Sequence, residues 1–196
     1  MNKNRLEAFS DGVLAIIITI MVLELHVPEE PTWQALFEQA PGFFSYLLSF
    51  VYVGIYWNNH HHMLHLAGKI NGTVLWANLH LLFWLSLFPF TTRWMDETGF
   101  VTVPVLVYGL NLLLAAIAYY VLETCLIRLQ GRDGALAQAL GRDWKAKVSP
   151  AIYVFGIAVA LLQPLVSIAA YTVVAALWLI PDRRVERFLA RQEREP

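Results

Sequence analysis

The sequence predicts an all-α integral membrane protein of six transmembrane helices with both termini on the cytoplasmic side. Three observations carry this. Apolar residues make up 58% of the chain and charged residues 15%, against about 25% charged in an ordinary soluble domain, and the mean hydropathy is positive. The apolar residues gather into runs long enough to cross a bilayer, for which about 20 are needed. Lys and Arg collect on one side: with six spans and the N-terminus inside, 13 of the 14 basic residues face inwards and only Arg93 faces out. Five spans would send the five C-terminal arginines outwards instead.

The first span is expected over about 8–26, closed by Pro28 and the acidic stretch Glu29-Glu30-Pro31. It does not read as a cleavable signal, because Asp11 stands at its start and Leu25-His26-Val27-Pro28-Glu29 has no small-x-small cleavage pattern. The second span is expected over about 41–62, the third over 72–94 and the fourth over 101–129. An Arg/Gly/Lys-rich linker follows from Gly131 to Lys147. The apolar stretch from Val148 to Ile180 is too long for one span and is punctuated by Gln163-Pro164, so it divides into 148–163 and 164–181 around a tight turn. Residues 1–181 thus form one membrane domain and 182–196 a basic cytoplasmic tail. Trp33, Trp57, Trp94 and Trp178 fall near the expected helix ends, where interfacial anchoring is their ordinary role.

One cysteine, Cys125, excludes a disulfide framework and a Cys-based zinc site. His60, His61, His62 and His65 crowd one helix, but four residues so close together cannot converge on one ion, and the His-Glu-x-x-His pattern is absent. Packing or hydrogen bonding at the inner boundary is the expectation for them, with proton sensing as the alternative. Asn71, Asn111 and Glu123 intrude into spans and are expected to form interhelical hydrogen bonds.

The most informative segment is Arg5-Leu6-Glu7-Ala8-Phe9-Ser10-Asp11-Gly12-Val13, where charged and polar residues run directly into an apolar helix. Such groups mark a functional site in a membrane helix, since hydrocarbon tolerates them only against protein or water. On a helical wheel Phe9, Gly12, Ile16, Thr19 and Leu23 form one stripe, with Val13 and Ile20 at its edge. Asp11 projects about 140° and Ser10 about 120° from Ile16, towards other helices. By itself the stripe reads as lipid contact or helix packing.

The pattern Arg5-x-x-x-Phe9-Ser10-Asp11-Gly12-Val13-x-Ala15-Ile16, with Thr19 beyond it, resembles the first helix of the TMEM175 family of lysosomal and prokaryotic potassium channels. The second and third helices share the likeness: Trp57 with His60-His61, then Asn78 followed by Leu87-Phe88-Pro89-Phe90-Thr91. The resemblance implies that the first helix lines a pore, that Ile16 forms its constriction, and that Gly12, Thr19 and Leu23 share the ion path. It implies a signature network of Arg5, Phe9, Ser10, Asp11, Trp57, His60, His61 and Asn78 holding that helix against the second and third. Arg5 is expected at the inner mouth, paired with Glu7 or Asp11 of the same or a neighbouring chain, because an unpaired ring of arginines would repel cations. Two-repeat eukaryotic members work as dimers, so a single-repeat chain implies a homotetramer around the first helix, in a prokaryotic plasma membrane.

The implied function is a potassium-permeable cation channel of the leak type, with a small secondary transporter of a cation or proton as the alternative. No Thr-Val-Gly-Tyr-Gly filter occurs in the chain, so a hydrophobic ring takes its place. A transporter usually shows helices broken at matching positions of two repeats, and a membrane enzyme needs a nucleophile–base or metal constellation. The sequence offers neither. No cofactor and no nucleic-acid partner is expected; the partners are further copies of the chain, membrane lipids and K+ as the permeant ion.

Overall fold

The computed structural model describes residues 3–131, 134, 136–137 and 144–179, and the described residues contain helices, turns and loops only. The elements are α1 Lys3–Leu23, α2 Trp33–Glu38, α3 Ala40–Leu66, α4 Gly72–Ser86, α5 Phe88–Glu97, α6 Thr102–Gln130, α7 Trp144–Ala160 and α8 Pro164–Leu179. Four stretches are long and apolar enough to cross a membrane: Lys3–Leu23, Ala40–Leu66, Gly72–Glu97 and Thr102–Gln130. Two shorter apolar helices, Val148–Ala160 and Pro164–Leu179, follow them. The basic tail 182–196 and most of the linker lie outside the described residues.

Local chemistry explains where the boundaries depart from expectation. α1 begins at Lys3, so the charged cluster is itself helical. α2 was not foreseen; Thr32 starts it by accepting the Ala35 N–H at 3.2 Å, a side-chain cap of the usual kind, and six residues are too few to show a period. Asn71 does not reach another helix, as expected of it, but caps α4 by accepting the Val74 N–H at 3.0 Å. The third span is interrupted at Leu87, between α4 and α5, where Pro89 follows and supplies no N–H for the preceding turn. The last apolar stretch divides at Gln163-Pro164, and Pro164 opens α8, a position where the missing N–H costs nothing.

α6 lies at the centre of the bundle, packed against α4, α5, α7 and α8, whereas α1 sits at its edge against α3, α4 and α5. Large aromatic side chains fill the interior, with Tyr52, Tyr108, Tyr171 and Phe88 almost wholly enclosed. Because lipid tails are as apolar as these side chains, close contact and hydrogen bonds hold such helices together. Ser49 Oγ on α3 lies 2.7 Å from Thr92 Oγ1 on α5 and 2.9 Å from the Tyr108 hydroxyl on α6. The Tyr52 hydroxyl donates to the Tyr171 carbonyl at 2.6 Å. Gly109 and Gly156 leave the room that the Tyr171 ring occupies, since a Cβ at either glycine would collide with it.

Candidate functional site

α1 has two faces of opposite character. Leu6, Ser10, Leu14, Ile17 and Met21, spaced three and four residues apart, are buried against the bundle. Phe9, Gly12, Ile16, Thr19 and Leu23 are exposed, Ile16 at 58% and Leu23 at 81%. The stripe expected from the wheel is therefore the face that one chain leaves uncovered. Thr19 Oγ1 donates to the Ile16 carbonyl at 2.8 Å, which commits the hydroxyl proton to the helix and leaves oxygen lone pairs on the open side.

Behind the stripe, three side-chain contacts tie α1 to its neighbours. Asn78 on α4 donates from Nδ2 to Ser10 Oγ at 3.0 Å, and Ser10 passes its own proton to the Leu6 carbonyl at 2.9 Å. With the amide nitrogen so engaged, Asn78 Oδ1 accepts, and His60 Nε2 on α3 donates to it across 2.7 Å. This fixes the His60 tautomer with the proton on Nε2 and leaves Nδ1 buried with no hydrogen-bond partner among the described residues. Ser10, Asn78 and His60 are all buried. Asp11, half-buried on the flank of α1, accepts the Trp57 indole N–H at 3.1 Å. Glu7 meets His61 Nδ1 at 3.2 Å.

The expected partners are thus redistributed. Of the candidate partners for Asp11, Trp57 is the one it meets, and the Asn78–His60 pair belongs to Ser10. Glu7 turns to His61, and among the described residues Arg5 forms no ion pair within the chain; it is exposed at the start of the stripe, and Phe9 lies on the open face. His61 stacks between Trp57 and His65, with ring centroids 6.3 and 6.2 Å away. Asn111 is buried, and among the described residues neither end of its amide has a hydrogen-bond partner, which differs from the interhelical bond expected of it.

The sequence reading missed a contact at the opposite end of α1. Glu24, just past the last turn, pairs with Arg93 of α5, which also meets Glu97 at 2.7 Å. The signal was present in part, since the charge count leaves Arg93 as the one basic residue expected outside, and Glu97 stands four residues beyond it.

Residues 5–89 match the sequence profile of the family described as endosomal/lysosomal potassium channel TMEM175. A potassium channel of Chryseobacterium sp. (strain P1-3) is 53% identical over 189 residues, covering 96% of this chain and 98% of that protein. A potassium channel of Streptomyces collinus is 34% identical over 131 residues, covering 62% of this chain and 64% of the other. Among solved structures, the crystal structure of a lysosomal potassium-selective channel TMEM175 homolog from Chamaesiphon minutus superposes with a TM-score of 0.77 at 26% identity. The superposition covers 91% of this chain and 96% of that one.

Proposed function

Because the chain belongs to the TMEM175 family, whose members are channels and not enzymes, we propose that it is a potassium-permeable cation channel of the leak type. Four copies surround a pore lined by α1, in the plasma membrane of a prokaryotic cell. Six spans are assigned, the two shorter helices α7 and α8 pairing as the last two, with both termini cytoplasmic. The observation that carries this reading is the uncovered stripe of α1, whose opposite face is held by Ser10, Asn78 and His60.

In this arrangement Ile16 contributes one quarter of a hydrophobic ring, which conducts when wetted and closes by dewetting. Gly12 precedes it on the same face, and Thr19 and Leu23 follow at the next two turns. The Thr19 oxygens, with their protons turned back into the helix, offer lone pairs to a partly dehydrated cation. Potassium sheds water more readily than sodium, so modest selectivity follows without a carbonyl cage. K+ is the permeant ion and no cofactor takes part. Arg5 of one chain finds Glu7 or Asp11 of its neighbour at the inner mouth, which keeps that ring from repelling cations.

Single-channel recording of the purified protein in planar bilayers tests the proposal. Discrete current steps with a reversal potential displaced towards potassium are expected. Saturable flux without steps would assign the protein to the transporters instead.

A further inference from the structure

A cavity of about 380 Å³ lies between α3, α6, α7 and α8, and no residue of α1 lines it. Six aromatic rings wall it: Tyr52, Tyr56, Tyr119, Tyr120, Tyr153 and Trp178. Two lining residues of α6, Ile117 at 43% and Tyr120 at 64%, are exposed on a stretch long enough to cross a membrane, so the mouth is turned towards lipid. Several polar ends are already committed within the protein. The Tyr52 hydroxyl donates to the Tyr171 carbonyl at 2.6 Å, the Trp178 indole to Ser149 Oγ at 2.8 Å, the Tyr119 hydroxyl to the Asn59 carbonyl at 3.4 Å, and Asn59 Nδ2 to the Ile55 carbonyl at 3.0 Å. The Glu123 carboxylate also interacts within the chain. Tyr56 differs from these: it lines the cavity at 8% exposure, and among the described residues its hydroxyl has no hydrogen-bond partner. The Tyr171 hydroxyl, likewise unpartnered, is sealed in the interior, whereas that of Tyr56 is reachable from the space it lines.

We infer that this cavity is a binding site for a neutral, flat, lipid-soluble molecule bearing a carbonyl oxygen, an aromatic ketone or quinone by class. Small-molecule pockets of this size are mostly apolar with a few placed polar groups, and here the placed group is the Tyr56 hydroxyl. A buried hydroxyl without a partner is costly, and its proton is met by a carbonyl acceptor. Charge in the occupant is disfavoured, because no Lys or Arg lines the space and Glu123 is engaged, so an ion would lose its hydration without a counterpart. The rings favour a ring. Aromatic pairs gain free energy beyond the area they bury, whereas a saturated acyl chain gains only the area and leaves the Tyr56 proton unmet. The site stands apart from α1 and does not depend on the channel reading.

The test is equilibrium dialysis of 9-fluorenone against the purified full-length protein in a neutral maltoside detergent, with uptake by protein-free micelles subtracted. Fluorene, the same flat skeleton with a methylene in place of the carbonyl, is the comparison. Three variants accompany the wild type: Tyr56→Phe, which keeps the ring and removes the oxygen, and Ala116→Phe and Ile55→Phe, which place a ring in the space. Each is accepted when its elution matches that of the wild type; the comparison of the two ligands on the wild type requires no variant. The expected result is that the wild type prefers fluorenone about tenfold, as one buried hydrogen bond supplies, that Tyr56→Phe lowers fluorenone to the level of fluorene while leaving fluorene unchanged, and that the filling variants abolish both. Absence of fluorenone binding to the wild type, equal binding of fluorene, which would mark a site for plain hydrocarbon such as a lipid chain, or a preference retained in Tyr56→Phe overturns the assignment. Full binding in an accepted filling variant does so as well, since the ligand would then lie elsewhere.

Discussion

The Asn78 amide on α4 and the Ser10 hydroxyl on α1 meet at 3.0 Å with both side chains wholly enclosed, so a single amide joins α1 to α4 and, through its oxygen, to His60 of α3. A membrane interior supplies no water to replace either bond.

Removing that amide therefore disturbs three helices at once. Asn78→Ala takes the donor away from the Ser10 oxygen, whose own proton stays on the Leu6 carbonyl, and leaves the His60 Nε2 proton without an acceptor, at about 1–3 kcal/mol for an orphaned buried group. Asp11→Asn keeps an acceptor for the exposed Trp57 indole and is expected to be much milder. Thermal unfolding in detergent should rank Asn78→Ala well below Asp11→Asn; the reverse order would show that the carboxylate, not the amide, holds α1.

Ile16 is expected to limit conduction. Shortening it to Ala, or making it polar with Asn, should widen and wet the narrowest ring and raise the resting current, with Leu23→Ala having a smaller effect. Bilayer recordings of well-folded variants check this, and an unchanged conductance in Ile16→Ala would take the constriction away from that residue.

Thr19 gives a test of selectivity that separates oxygen from shape. Thr19→Ser keeps the hydroxyl and its bond to the Ile16 carbonyl, whereas Thr19→Ala deletes the oxygen. The potassium-to-sodium permeability ratio, measured from reversal potentials, should fall in the Ala variant and stay near wild type in the Ser variant. A ratio indifferent to Thr19→Ala would leave the ring at Ile16 as the sole source of preference.

Tyr171 supplies a test of packing independent of conduction. A Cβ added at Gly109 meets the Tyr171 hydroxyl and the ring carbon that bears it, and one added at Gly156 meets ring carbons alone. Each of Gly109→Ala and Gly156→Ala should destabilise by about 1–3 kcal/mol through overpacking. Adding Tyr171→Phe should relieve Gly109→Ala in part and Gly156→Ala not at all, because it removes the oxygen and keeps every ring carbon. Melting temperatures of the single and double variants check this; equal rescue of both would mean that the ring moves as a whole.

The sequence disclosed those parts of the fold that depend on a period or on a breaker. The stripe Phe9, Gly12, Ile16, Thr19 and Leu23 was visible because helical spacing alone decides which residues share a face. The division at Gln163-Pro164 was visible because Pro restricts the chain wherever it stands. Partners were harder to read, because a side chain's choice among polar groups on other helices depends on distances the one-dimensional pattern does not hold. Ser10 and Asp11 are adjacent, yet one faces Asn78 and the other Trp57. Asn71 was taken for a residue inside a span, and only its place one residue before α4 makes it a cap. The six-residue α2 and the interruption at Leu87 rest on single capping and proline events, too local to show in hydropathy.

The two ends of α1 are pinned and its middle is not. Glu7, Ser10 and Asp11 fasten one end through polar bonds, and Glu24 fastens the other to Arg93. Between them Leu14, Ile17 and Met21 rest on the bundle through apolar contact alone, which permits small displacements without breaking any directional bond. A rod held in this way bows more readily than it slides, and its largest excursion falls at mid-length, where Ile16 stands. The diameter of an assembly built on α1 would then change at the waist while its rims stay fixed. Spin labels at position 16 should show a broader distribution of distances between subunits than labels at positions 4 and 27.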